Sequence, residues 1–187
     1  ARRSLFFVLV VYLLPLLLLA SVAEGYGLVH WGKWQGEIGR IKKFPIREAA
    51  VMEAAQFLLA LVMVFVGAGL VKSIGETFHG RRTYPQAFTA VAYGLSPLFL
   101  LRLLDAFSGI SPWVSWSIGI ILSIAVLYNG LPQMMEPDPP HAFGLFFISA
   151  LLLALVTGLV RLITWWYLRG GFGKLQVIVS DLAARLP

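Results

Sequence analysis

Few residues of this chain could do chemistry, and they are scattered. Glu76 and His79 stand three apart, the Glu-x-x-His spacing of di-iron bundles. Such a site draws matching elements from several helices, and the chain supplies one. His30, His79 and His141 all fall at or beyond the edges of apolar runs, whereas a haem held by two histidines wants both inside facing helices. Arg102 and Asp105 are three residues apart, a spacing that puts them on one helix face and predicts a pair between them. Glu53 and Gln56 belong to the first turns of an apolar segment, near the headgroups. Arg161 ends a long apolar run just before Trp165-Trp166-Tyr167, which reads as a side chain snorkelling to the interface. No G-x-S-x-G, H-E-x-x-H or Walker sequence occurs, and Gly67-Ala68-Gly69 lies within an apolar run where a phosphate loop cannot form. Zero Cys removes disulfides, thiolate zinc, iron–sulfur clusters and thiol nucleophiles together. The expectation is a chain that is not an enzyme and holds no metal or cofactor.

The elements that must position these residues are set by composition. Of 187 residues, 59% are hydrophobic and 13% charged, half the roughly 25% charge of a soluble domain. Mean hydropathy is +0.82. Too little charge is present to coat a water-soluble globule, and disorder needs the opposite balance. Five apolar segments, about 4–23, 51–71, 86–107, 112–128 and 141–168, each meet or approach the roughly 20 residues that span a bilayer core. The first also has features of a secretory leader, with Arg2-Arg3 ahead of it and Ser21-Val22-Ala23 at its end. It is longer than a leader core and reads as a retained helix. The fold class expected is an all-α membrane protein, with five helices in a compact bundle over 1–170 and an amphipathic tail over 171–187.

Local signals sharpen the helices. Thr83-Tyr84-Pro85-Gln86 has the form of a capping box, while Ser111-Pro112 and Asp138-Pro139-Pro140 place proline in a first turn, where its missing N–H costs nothing. Pro15 and Pro97 fall inside apolar runs and predict kinks. Small residues recur at four-residue spacing: Ala90 and Gly94; Ser115, Gly119 and Ser123; Ala150, Ala154 and Gly158. Close approach through such residues is the main device of helix association in lipid, so the last three helices should pack tightly, within the chain or against another.

The formal charge of +6 comes from bases in the connections. Trp31, Trp34, Arg40, Lys42 and Lys43, in the segment after the first helix, combine aromatics and bases as a headgroup-docking surface does. The tail carries Leu175, Ile178, Val179, Leu182 and Leu186 at helical spacing, fit to lie on a membrane or against a partner. The bases form no stripe of the nucleic-acid-binding kind. The bilayer and other membrane subunits are the expected partners, with no nucleic acid.

The stretch from Gly80 to Leu104, G-R-R-T-Y-P-Q-A-F-T-A-V-A-Y-G-L-S-P-L-F-L-L-R-L-L, resembles the core of the Yip domain family, five-helix membrane proteins named for interaction with Ypt/Rab GTPases. Tyr128-Asn129-Gly130-Leu131-Pro132, followed by His141-Ala142, is similar to the family's turn between its last two helices. The resemblance implies a non-enzymatic bundle with no catalytic residues to transfer. Its eukaryotic members act in membrane trafficking and shaping through a cytosolic N-terminal segment. Only Ala1-Arg2-Arg3 precede the first apolar run here, so Rab binding is not carried over and the likeness is to short prokaryotic members of a bacterial inner membrane. The family places the N-terminus in the cytosol, giving that side five bases outside the helices against eight on the other. The positive-inside rule prefers the reverse. The function expected is a Yip-like scaffold or accessory subunit, with a small transporter or channel component as the alternative. A dry bundle would favour the first and a continuous polar cavity the second.

Overall fold

Backbone groups in hydrocarbon must be hydrogen-bonded internally, so each apolar run becomes a helix. A computed structural model describes residues 5–35, 40–78, 83–168 and 173–185. The spans are α1 (Leu5–His30), α2 (Ile46–Thr77), α3 (Tyr84–Ala106), α4 (Pro112–Met135) and α5 (Ala142–Leu168), the last entered through a 3-10 turn at Pro139–His141. A hairpin of β1 (Lys33–Gln35) and β2 (Arg40–Lys42) joins α1 to α2, with Lys33 opposite Lys42. The tail forms α6 (Gly173–Ala184), which runs beside α2. An all-α bundle of five membrane-crossing helices is therefore the fold.

The helices outrun the apolar segments that mark them. α2 has 32 residues, about 48 Å at 1.5 Å per residue, against a hydrocarbon core of about 30 Å. α1 continues past Glu24 to His30 because its last turns are packed. Gly27 lies against the backbone of Ala106, and the ring of Trp31 stacks on Phe107 at 5.3 Å. α4 runs through Pro132 to Met135, so the family-like turn expected at Tyr128–Pro132 is helix instead. Leu131 and Met135 are fully buried and hold that last turn in place, and the chain reverses at Glu136, whose φ of 43° is left-handed.

α3 is the central helix: 61% of its most apolar stretch is buried, against 28–33% for the other four. Its start is the expected capping box, with Thr83 N–H donating to Gln86 Oε1 at 2.9 Å. It breaks at Leu95, directly before Ser96-Pro97, and tightens to a 3-10 helix over Arg102–Ala106. α1 is irregular at the same contact. Val8–Leu13 is π-helical immediately ahead of Pro15, whose missing N–H interrupts the α ladder. Tyr12 Oη and Ser96 Oγ, 2.6 Å apart, bridge the two irregular segments.

The small-residue stripes lie between helices of this chain. Gly94 abuts Leu127, Gly119 abuts the Leu98 backbone, and Gly158 faces the Trp116 ring. Ala90, Ser115, Ser123 and Ala150 are buried, while Ala154 is half-buried. Toward the end where α2 finishes, Val71, Phe88, Leu131, Met135 and Leu145 form a closed apolar core.

Two outcomes follow. A Cβ on Gly27 would meet the Ala106 carbonyl oxygen at 2.0 Å, whereas one on Gly69 meets nothing within 4 Å. Gly27→Ala should lower stability by about 1–3 kcal/mol, as overpacking does, and Gly69→Ala should leave it unchanged or raised by up to about 1 kcal/mol. Thermal denaturation in detergent distinguishes them, and equal responses would contradict this packing. Single cysteines at Lys43 and Gly109 should label from one side of the membrane and one at Asp138 from the other; labelling of all three from one side would refute the five crossings.

Candidate functional site

An alternating topology brings certain helix ends to the same side: the C-terminal ends of α1, α3 and α5 and the N-terminal ends of α2 and α4. Near those ends the spans carry Glu24, Glu53, Arg102, Asp105 and Arg161. None is more than about a tenth exposed. Ionisable groups at such a depth are costly and must be met by opposite charge and hydrogen bonds.

Arg102 joins three helices. Its Nε donates to Glu24 Oε2 at 2.7 Å, and its Nη2 donates to Glu53 Oε2 at 2.8 Å and to Gln56 Oε1 at 3.0 Å. Gln56 Nε2 in turn points at Glu53 Oε1, 3.4 Å away. Arg161 forms the second half. Its Nη2 bonds Asp105 Oδ2 and, with Nε, the Pro112 carbonyl at 2.8 and 3.0 Å. Ser115 Oγ donates to the other oxygen of Asp105. The two halves are adjacent because Arg102 and Asp105 share the 3-10 end of α3.

This corrects the sequence reading in four places. Arg102 and Asp105 do not pair with each other; each reaches a different helix, where Glu24 and Glu53 answer the one and Arg161 the other. Arg161 does not snorkel: it turns inward, 9% exposed, to Asp105 and the start of α4. Glu53 and Gln56 are held by Arg102 rather than by the headgroup region. Glu24 was assigned to a connection and is a buried helical residue. The available signal was collective: one or two ionisable residues in each of spans 1, 2, 3 and 5, all near ends that alternation places together.

The hairpin lies over the same end. Lys33, one of the bases assigned to a headgroup-facing segment, is only 4% exposed, and its Nζ has no hydrogen-bond partner among the described residues. Burial pushes its pKa down, opposed by the charges of Glu24 and Asp105. Counting Lys33, three cations face three carboxylates. Trp31, Lys42 and Lys43 are exposed, with Lys42 Nζ 5.2 Å from the centre of the Phe44 ring. The side chains of Trp34 and Arg40 lie outside the described residues. His79 is likewise outside them, so the Glu76–His79 spacing finds no description here.

A half-enclosed cleft of about 70 Å³ opens beside the network. Gln56, Arg102, Asp105, Ser115, Arg161 and Thr164 supply its polar wall, and Leu59, Met63, Leu98, Phe99, Trp116 and Val160 its apolar one. It lies between two places where α2 and α5 approach, Leu153 on Gly67 toward one end and Tyr167 against the cluster of Leu28, Phe44, Ala49 and Met52 toward the other. A larger groove between α1 and α2, lined by Leu18, Val22, Tyr26, Ala50 and Phe57, is almost wholly apolar; its one acid, Glu53, is engaged by Arg102.

Comparison with known proteins gives one positive result. The family model described as the Yip1 domain matches residues 1–168. No curated protein and no solved structure is significantly similar to the chain.

Breaking the network from one side leaves a buried charge unanswered. Arg102→Gln should cost about 3–5 kcal/mol, the usual penalty for orphaning a buried partner. The double variant Asp105→Asn with Arg161→Gln should cost less than the sum of its singles. Asp181→Asn, which breaks an exposed pair with Arg185, should cost under about 1 kcal/mol. Detergent unfolding curves of the five variants test the order; additivity at Asp105 and Arg161 would mean they are not coupled.

Proposed function

The chain belongs to the Yip1 domain family, and from that premise we propose that it acts as a non-enzymatic scaffold or accessory subunit of a membrane assembly, in a bacterial inner membrane. The observation that carries this reading is the apolar core around Phe88, Leu131 and Met135, which lies between the charged end and the opposite side. The charges serve as fastenings between helices: the ionised groups of Arg102, Arg161 and their carboxylates are engaged with one another. A bundle so fixed offers its outer faces. On α5, Phe143, Phe147, Leu151, Leu155 and Leu159 form an exposed apolar stripe at four-residue spacing, available to lipid or to a neighbouring subunit. On the hairpin side, Trp31, Lys42 and Lys43 are disposed to meet anionic headgroups, each base contributing about 1 kcal/mol near an anionic membrane.

The alternative, a transporter or channel component, draws on the cleft beside Arg102 and Arg161. It would require a polar path beyond Met63 and Leu98, where the cleft wall is apolar. Reconstitution separates the two. Vesicles holding the chain should pass ions and protons no faster than protein-free vesicles. A cysteine at Phe147, cross-linked in native membranes, should give one discrete adduct with another membrane protein. Ion flux that disappears when Val160→Trp plugs the cleft would instead assign the chain to transport.

A further inference from the structure

The guanidinium groups on the wall of the α2–α5 cleft are only partly used. Arg102 spends Nε and Nη2 on Glu24, Glu53 and Gln56, and Arg161 spends the same two nitrogens on Asp105, Ser115 and the Pro112 carbonyl. Neither Nη1 has an acceptor among the described residues, and neither is sealed inside protein. Four N–H hydrogens, two on each group, are thus left for acceptors from outside the chain, and both groups line one cleft.

Charge and depth narrow what those acceptors are. The guanidinium charges of Arg102 and Arg161 are already met by ion pairs to Glu24, Glu53 and Asp105, so no further anion is needed to answer them, and seating one would carry the cost of an extra buried charge. A neutral acceptor avoids that cost. Centred on a core of about 30 Å, the roughly 48 Å of α2 overshoots by about 9 Å at each end, and Glu53 lies seven residues from its start. That is the level where hydrocarbon meets headgroup, the depth of the ester carbonyls of a glycerolipid. A cleft of about 70 Å³ admits such ester groups but not a whole lipid. The chains would leave along Leu59 and Val160, partly exposed at the mouth between α2 and α5, with Met63 buried behind them.

We propose that this cleft binds one glycerolipid, its ester carbonyls accepting hydrogen bonds from Nη1 of Arg102 and Arg161 and its acyl chain lying in the α2–α5 mouth. The site goes beyond the scaffold reading and is tested separately from it, since no partner protein enters the experiment. The chain, purified in mild detergent, is exchanged into lipid-free detergent with added dioleoyl phosphatidylcholine or its ether-linked analogue, which has the same headgroup and chains but no carbonyls. Native mass spectrometry then counts retained lipid.

One diester lipid per chain should be retained, and the ether analogue at least about tenfold less, the effect of losing one hydrogen bond to a charged donor. Val160→Trp fills the mouth while keeping both arginines, and should abolish retention in a chain that still shows a cooperative melting transition without lipid. Arg161→Lys keeps the charge facing Asp105 but removes the Nη1 donor, and should narrow the ester–ether difference. Equal retention of the two lipids by the unmodified chain would overturn the proposal, as would undiminished retention by Val160→Trp. Retention of phosphatidylglycerol far above phosphatidylcholine in both linkages would also overturn it, marking an anion site instead.

Discussion

A guanidinium carried into the edge of a bilayer has to be surrounded by acceptors, and Arg102 finds them on two other helices at once. Glu24 and Glu53 approach from α1 and α2 to 2.7 and 2.8 Å, while three residues on, Asp105 draws in Arg161 from α5. No hydrophobic effect drives helices together within lipid, so these directed contacts fix which end of each helix meets which. Replaced by well-packed apolar residues, such pairs often leave stability unchanged or higher. Their contribution here is register: four helices are set at one depth by bonds that a sliding motion of a single turn would break.

The rest of the bundle is arranged around α3. The break at Leu95 and the 3-10 end after it carry Arg102 and Asp105, whose partners are Glu24 and Glu53 for the one and Arg161 for the other. The π-helical part of α1 supplies Tyr12 to Ser96 at that break. Below it, Gly94 and Gly119 let α3 and α4 approach closely. One half of the molecule is thus polar and specified by hydrogen bonds, and the other is apolar and specified by shape.

Much of this was legible in the chain because lipid imposes simple rules. Five apolar runs became five helices, Thr83 and Gln86 formed their box, and Pro97 marked an interrupted helix. The likeness to the Yip family held across residues 1–168. The reading failed where partners are distant in sequence. Glu24 looked like the end of a helix because it is charged, yet Arg102 lies 78 residues away and makes its burial tolerable. Arg161 had the flanking aromatics of an interface residue, and only the fold brings Asp105 to it. The turn that the family likeness placed at Tyr128–Pro132 is helix, because the buried Leu131 and Met135 carry α4 past it. Ion pairs between helices leave no periodic trace; their signal is the coincidence of charge and depth across separate spans.

The order of these residues along the chain bears on how the protein is made. Synthesis delivers Glu24 first, then Glu53, and only afterwards Arg102; Asp105 must wait until the fifth helix brings Arg161. The first two helices therefore carry their two acids before Arg102, the ion-pair partner of both, has been made, and Asp105 of α3 likewise precedes Arg161. A ribosome-bound intermediate with two or four helices would keep polar groups facing the insertion machinery and so remain beside it. Arg161, the last of these charges to be made, completes the set of ion pairs.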